Sequence, residues 1–374
     1  MTRDILGIGL TGKTLTSLER RILTESTPYA VVLFGRNIGS EDELQDLVTE
    51  VKALSARPPL FMIDQEGGRV DRLRHLIKGM PSAEAYGEQE RPAEMAEWGG
   101  RVIGKALRWF DVEVDLAPVV DVMGDHAPKG LERRIFGRNA ETVSELAGAF
   151  MRGLHAEGVA SCLKHWPGIG VGSADPHYGL TVIDLPYDEL IDVHVEPFRR
   201  LGAEAGAIMI GHGTYPQVDP SEMPATLSRK MSTDLLRDVA QFDGIAISDD
   251  MEMHSVSDLG SYEEIAERAL LAGNDCILFC SHIERIPDLQ RHLARRAEES
   301  EAIRMRLEEA ARRCDAYREH CERLRASAPA PASWEAVIDD AERLVAELRV
   351  SETFEGMERR KAERKWRTGR EEWT

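Results

Sequence analysis

Short contiguous apolar runs of strand type recur along the chain, separated by longer stretches in which apolar positions return at helical spacing. The runs are ILGIGL from Ile5, AVVLF from Ala30, LFMID from Leu60, VEVDLA from Val112, ASCLK from Ala160, AIMIGH from Ala207, GIAISD from Gly244 and DCILFC from Asp275. Between them, residues 42–54, 92–110, 140–155, 188–201, 228–241 and 262–272 have helical spacing or composition, and several open at Ser, Asp or Pro as helix starts do. Such alternation marks βα units around a parallel sheet, and about eight of them predict a (β/α)8 barrel of the TIM type. A doubly wound open sheet is the rival architecture, with one GxGxxG from Gly7 to Gly12 in its favour. Those glycines lie inside the first run rather than after it, and no acid stands about 20 residues on to hold a ribose, so the barrel is preferred.

From residue 283 to 325 the pattern changes to an almost continuous charged helix, followed beyond SAPAPAS by an amphipathic segment over 334–348. These helices are expected to cover the barrel, making residues 1–350 one catalytic domain and 351–374 a charged tail. The net charge of −19 argues against nucleic acid as a partner, since phosphate binding needs a basic surface. No apolar stretch approaches a membrane span and the N-terminus carries no signal-peptide pattern, so a cytoplasmic protein without a membrane partner is expected. The five cysteines show no metal-ligand spacing and read as reduced thiols.

Polar, ionisable residues gather where the runs end, which is where a barrel of this kind builds its active site. Asp64 closes the third run, Lys164 and His165 the fifth, His212 follows the sixth, and Asp249 with Asp250 closes the seventh. The carboxylate of Asp249 can attack an electrophilic carbon, bind a metal or cap the next helix; Met251 and Met253 beside it are poor ligands for a hard cation, so no metal is expected. In SADPH, Asp175 can orient His177 and raise its proton affinity, with Pro176 holding the two in an extended or turn relation, although such a pair also serves as a plain surface turn. The glycines of DQEGGRV permit close backbone approach to a sugar or phosphate just after Asp64. Arg134 in ERRIFGRN can be a forked donor to hydroxyls or a carboxylate, and His212 in IGHGTYP reads either as a rim residue of the site or as a satisfied core histidine.

The ordered set DQEGGRV, LAPVVDV, RRIFG, KHWPG with ADPH, PATLS and ISDDMEM resembles the single-domain β-N-acetylglucosaminidases of glycoside hydrolase family 3, over roughly residues 5–279. The resemblance implies a retaining exo-glycosidase that releases N-acetylglucosamine from a terminal β-linkage without a cofactor. It implies Asp249 as the nucleophile that forms a glycosyl-enzyme, His177 as acid/base oriented by Asp175, and Asp64, Arg134, Lys164 and His165 as contacts to the sugar hydroxyls. Muropeptide fragments, as in peptidoglycan recycling, are implied as substrate in the same way. The chain departs from the family pattern at Ile169, where a second histidine is usual, at Pro176, where serine is common, and at Arg133, where an acid is usual. Two other readings use the same residues. One is a phosphorylase, because a neutral histidine repels an incoming anion less than a carboxylate base would. The other is a non-catalytic sugar-binding barrel, against which the presence of Asp249, Asp175 and His177 argues.

Overall fold

The computed structural model describes residues 5–348 except 56, 126, 127, 129 and 175–178. Its strands are β1 (Leu6–Gly9), β2 (Ala30–Leu33), β3 (Leu60–Ile63), β4 (Gln65–Gly67), β5 (Val70–Asp71), β6 (Val114–Asp115), β7 (Ala160–Ser161), β8 (Leu163–Trp166), β9 (Ser173–Ala174), β10 (Thr181–Val182), β11 (Ala207–Ile210), β12 (Ile245–Ser248) and β13 (Ile277–Phe279). Six of them form a parallel sheet in the order β13-β1-β2-β3-β6-β7, and β12-β11-β8 form another. The fifth apolar run supplies both β7 and β8, and further parallel bridges join Val119 to Lys164 and Ile247 to Cys276. The eight apolar runs are therefore neighbours in a circuit, each beside the next in sequence and the last beside the first. That is the barrel expected from the sequence.

The strands are apolar throughout because both faces are covered: every residue of β1, β2, β3, β11 and β12 is buried. The first two glycines of the early GxGxxG, Gly7 and Gly9, belong to this packing. A Cβ on Gly9 would lie 2.1 Å from the carbonyl oxygen of Cys280, so the glycine allows β1 to approach the chain just beyond β13. Helices Glu41–Ala53, Pro92–Trp109, Ala140–Ala156 and Tyr262–Ala272 fall where the spacing places them. The segment expected over 188–201 instead passes through a wide π-type turn at Leu190–Val195 before Glu196–Ala205, and Lys230–Val239 is wound in the same wide form. Helix Ser17–Ser26 has too few apolar positions to show a clear period, yet Thr16 and Glu19 cap it reciprocally, and that signature is visible in the sequence.

The charged C-terminal stretch is two helices, Ile286–Glu299 and Glu301–Ser327, broken at Ser300, and a third follows at Trp334–Glu347. The long helix is tied to the barrel by buried polar contacts. Tyr317 donates its hydroxyl to the Ser161 carbonyl at 2.9 Å, and the Tyr29 hydroxyl reaches the Cys314 carbonyl at 2.9 Å. Arg306 and Arg237 converge on the fully buried Asp275 at 2.6 and 2.8 Å. Trp334 stacks on Trp109, which seats the last helix against Pro92–Trp109. These contacts join the helices to the barrel within the described residues, while the charged tail expected over 351–374 lies outside them.

Candidate active site

All strands of the circuit run in parallel, so their C-terminal ends share one rim, and the predicted polar residues stand there. Asp64 is the first residue beyond β3, Lys164 and His165 lie within β8, His212 is two residues beyond β11, and Asp249 is the first beyond β12. The chain after β3 turns back as the hairpin β4–β5, and Gly67 makes the turn. Its φ is +87°, and a Cβ there would stand 2.1 Å from the Pro81 carbonyl oxygen. The hairpin thereby places Glu66 beside Asp64.

The ammonium of Lys164 is buried between these two acids, 2.6 Å from Asp64 Oδ1 and 2.6 Å from Glu66 Oε1. Arg134 closes on Glu66 as a fork, Nε at 2.7 Å and Nη2 at 2.8 Å, while Arg72 lies 3.8 Å from Asp64 Oδ2. Burial alone would favour the neutral forms, but opposite charges outweigh it. Asp64 and Glu66 are held below the usual carboxylate range by Lys164 with Arg72 and Arg134, and Lys164 and Arg134 are held above their ordinary values. The site therefore has a fixed, nearly balanced charge lattice.

His165 donates Nδ1–H to Asp121 Oδ2 at 2.8 Å, and Asp121 Oδ1 accepts the Ile169 N–H at 2.7 Å. In the neutral ring this leaves Nε2 as an acceptor. His212 is buried with both ring nitrogens engaged: Nε2 donates to the Asp250 carbonyl and Nδ1 meets Thr226 Oγ1, each at 2.9 Å. Burial lowers its basicity, so it is a neutral brace for the peptide after Asp249. Asp249 itself accepts the Asp250 N–H at 2.8 Å, and its own N–H is held by the Ile210 carbonyl at 2.9 Å.

Asp250 faces away into the seam with the next strand, its Oδ1 accepting the N–H groups of Glu252 and Cys280, each at 3.2 Å. Burial, reinforced by the charges of Glu252 and Asp249, pushes its carboxyl up to about 7. Between the ordinary carboxylate value near 4 and about 7, the folded chain keeps a proton that the unfolded chain has lost, so stability falls as pH rises across that window. Asp250→Asn keeps a neutral acceptor and is expected to lose about 5 °C less in Tm than the wild type between about pH 5 and about pH 8. Thermal melts of both proteins check this, and parallel slopes would count against it.

Asp175, Pro176 and His177 lie outside the described residues. The strands flanking them, β9 and β10, pair antiparallel, and Val182 bridges to Thr214 beyond β11. Ile169, where the family pattern has histidine, is half-buried against the apolar cluster of Val119, Leu131 and Ile135. Two residues that sequence reasoning did not single out, Glu66 and Asp121, prove central to the geometry. Each stands in a motif already visible, DQEGGRV and LAPVVDV, but only the fold shows that Glu66 binds Lys164 and Arg134 and that Asp121 orients His165. Among the described residues, no group of three or more His, Cys, Asp or Glu side chains is placed to hold a metal ion.

Residues 11–315 match the Glycosyl hydrolase family 3 N terminal domain. The chain belongs to glycoside hydrolase family 3. Among its relatives is a β-hexosaminidase of Vibrio cholerae, 37% identical over 283 residues that cover 75% of this chain and 83% of that protein. A family 3 β-N-acetylglucosaminidase from a Paenibacillus strain superposes with a TM-score of 0.82 at 28% identity, covering 92% of this chain and 68% of that one. NagZ from Neisseria gonorrhoeae, solved in complex with N-trifluoroacetyl-D-glucosamine, superposes with a TM-score of 0.72 at 27% identity over 87% of this chain and 97% of that one. As a family 3 chain the protein is a glycoside hydrolase, and the family's barrel is the fold described above.

Proposed function

We propose that this glycoside hydrolase is a retaining exo-β-N-acetylglucosaminidase with Asp249 as nucleophile and His177, oriented by Asp175, as acid/base. The observation that carries the reading is the buried lattice of Lys164, Asp64, Glu66 and Arg134 on the same rim as Asp249. A neutral sugar offers hydroxyls rather than charge, and fixed charges whose positions do not relax on binding are suited to grip them. Asp64 and Lys164 would meet the glycone hydroxyls and His165 Nε2 would accept from one of them. Arg134, forked onto Glu66, acts in this reading by holding Glu66 against Lys164, and His212 by fixing the carbonyl of Asp250, the residue after Asp249.

In the first step the Asp249 carboxylate attacks the anomeric carbon while the imidazolium of His177 gives its proton to the departing oxygen. In the second, neutral His177 takes a proton from water, which attacks the same carbon and frees Asp249. The substrate is a glycoconjugate with a terminal β-N-acetylglucosamine, with muropeptide fragments as the natural class. All five cysteines are free and buried, which supports a reducing compartment, the cytosol. No described helix is long and apolar enough to cross a membrane.

The test is incubation with an aryl β-N-acetylglucosaminide, followed by proton NMR. Release of N-acetylglucosamine first as the β-anomer is expected; absence of turnover, or the α-anomer first, would overturn the reading. Faster consumption in phosphate with a sugar phosphate as product would assign the phosphorylase instead. His177→Ala is expected to slow substrates with poor leaving groups by roughly 10²–10⁴-fold and dinitrophenyl substrates far less, because only the former need full protonation. Equal losses on both would remove His177 from the acid role.

A further inference from the structure

Beneath the sugar-binding lattice lies a carboxyl group that the reaction does not use. Asp115 is the last residue of β6 and stands opposite Ile63, the last residue of β3. Just beyond this pair β3 leaves the ladder, and the Asp115 side chain takes over from the strand: its Oδ1 accepts the Gln65 N–H at 2.9 Å. The residue is fully buried, and its Oδ2 has no partner among the described residues. Gln65 is flanked by Asp64 and Glu66, so the peptide that Asp115 fixes carries both carboxylates that hold Lys164.

The titratable groups facing Asp115 are Lys164 from β8, Asp64 and Glu66 after β3, Cys162 between β7 and β8, and Tyr317 from the helix Glu301–Ser327. Burial keeps the thiol and the phenol neutral. Lys164 already divides its charge between Asp64 and Glu66, and Arg72 and Arg134 face those same two acids, so an ionised Asp115 would be a third anion competing for Lys164 with no ion-pair partner of its own among the described residues. Burial pushes the Asp115 carboxyl well up, outweighing the attraction of Lys164. An apolar residue here would avoid burying the second oxygen but would leave the Gln65 N–H without an acceptor.

We propose that Asp115 is a positioning residue that acts as an uncharged carboxylic acid, setting the peptide of Asp64 and Glu66 and leaving the Lys164 charge to those two side chains. This rests on the sugar-binding role given above to the lattice. The test combines infrared spectroscopy at neutral pH with kinetics on an aryl β-N-acetylglucosaminide, using the full chain. The carbonyl stretch of the buried Asp115 acid is expected in the wild type and absent from Asp115→Asn, read as the band lost in the wild-type-minus-Asn difference spectrum, in which the part-protonated Asp250 carboxyl is common to both proteins and cancels. The Asn variant, neutral and still an acceptor, is expected to keep kcat and KM within about threefold of wild type, whereas Asp115→Ala raises KM by about tenfold with little change in kcat. A purely structural role would lower the melting temperature without that split between KM and kcat. No such stretch in the wild type, an Asn variant as impaired in KM as the Ala variant, or an Ala variant with wild-type KM would each overturn the proposal. If Asp115→Ala does not fold, the infrared band and the Asn variant still decide. An inactive wild type would be a failure of the glycosidase reading, whereas an active wild type lacking the band is a failure of this proposal alone.

Discussion

Asp249→Ala is expected to lower kcat on an aryl β-N-acetylglucosaminide by about 10³-fold or more, which corresponds to about 4 kcal/mol or more of lost transition-state stabilisation. The loss has a specific cause. The carboxylate follows a fully buried strand, and its neighbours hold it from three sides: its own N–H by Ile210, its side chain by the Asp250 N–H, and the next carbonyl by His212. No other described carboxylate on the rim is comparably placed to replace it, because Asp64 and Glu66 are committed to Lys164 and Asp121 to His165. A smaller side chain leaves the pocket intact but removes the group that forms the covalent bond. Small anions distinguish this from general damage. Azide occupying the vacated volume attacks from the same face as the missing carboxylate, so added azide is expected to restore turnover and yield the α-glycosyl azide. Failure of azide to rescue a variant that still binds N-acetylglucosamine, or activity undiminished by the substitution, would exclude Asp249 as nucleophile.

The barrel was legible in the sequence because a parallel sheet covered on both faces must be written in apolar runs, and each run ends where the backbone meets solvent and polar residues become affordable. The same rule marks Asp64, Lys164, His165 and Asp249 as a set from the sequence alone. Glu66 and Asp121 were less visible for a physical reason. Their roles are pairwise: Glu66 matters through Lys164, 98 positions away in the chain, and Asp121 through His165, 44 positions away. No local pattern records such a partnership. Two helical segments take a form that their pattern does not show, since the wide turns at Leu190–Val195 and Lys230–Val239 keep an ordinary amphipathic pattern while changing the backbone's hydrogen-bond period. The uncharged state inferred for Asp115 is likewise invisible in VEVDLA, because it follows from what surrounds the carboxyl rather than from its neighbours in sequence.

Lys164→Met tests the charge lattice itself, and the expected result is a double loss. Removing one member of a buried ion pair typically destabilises a fold by about 3–5 kcal/mol, since the remaining charge stays buried without its partner. Glu66 would keep the Arg134 fork, so Asp64 is the group left exposed to this penalty, with Arg72 only at 3.8 Å. Lys164→Met combined with Asp64→Asn is therefore expected to recover most of the lost stability but none of the activity, with kcat/KM remaining at least about 100-fold below wild type, or about 2.7 kcal/mol. The pH dependence supplies a further check. Asp64 and Glu66 have folded-state acidities depressed by their cationic neighbours, so their contribution is fully present above the unfolded carboxylate value near 4 and is lost as pH falls toward the folded one. The single variant lacks much of that contribution, so its denaturation free energy should converge on the wild-type value as pH falls below about 4 and diverge most at neutral pH. Chemical denaturation across that range measures the difference; a constant gap would mean that Lys164 supports the fold by packing alone, and recovery of activity in the double variant would mean that the lattice is not the sugar-binding element.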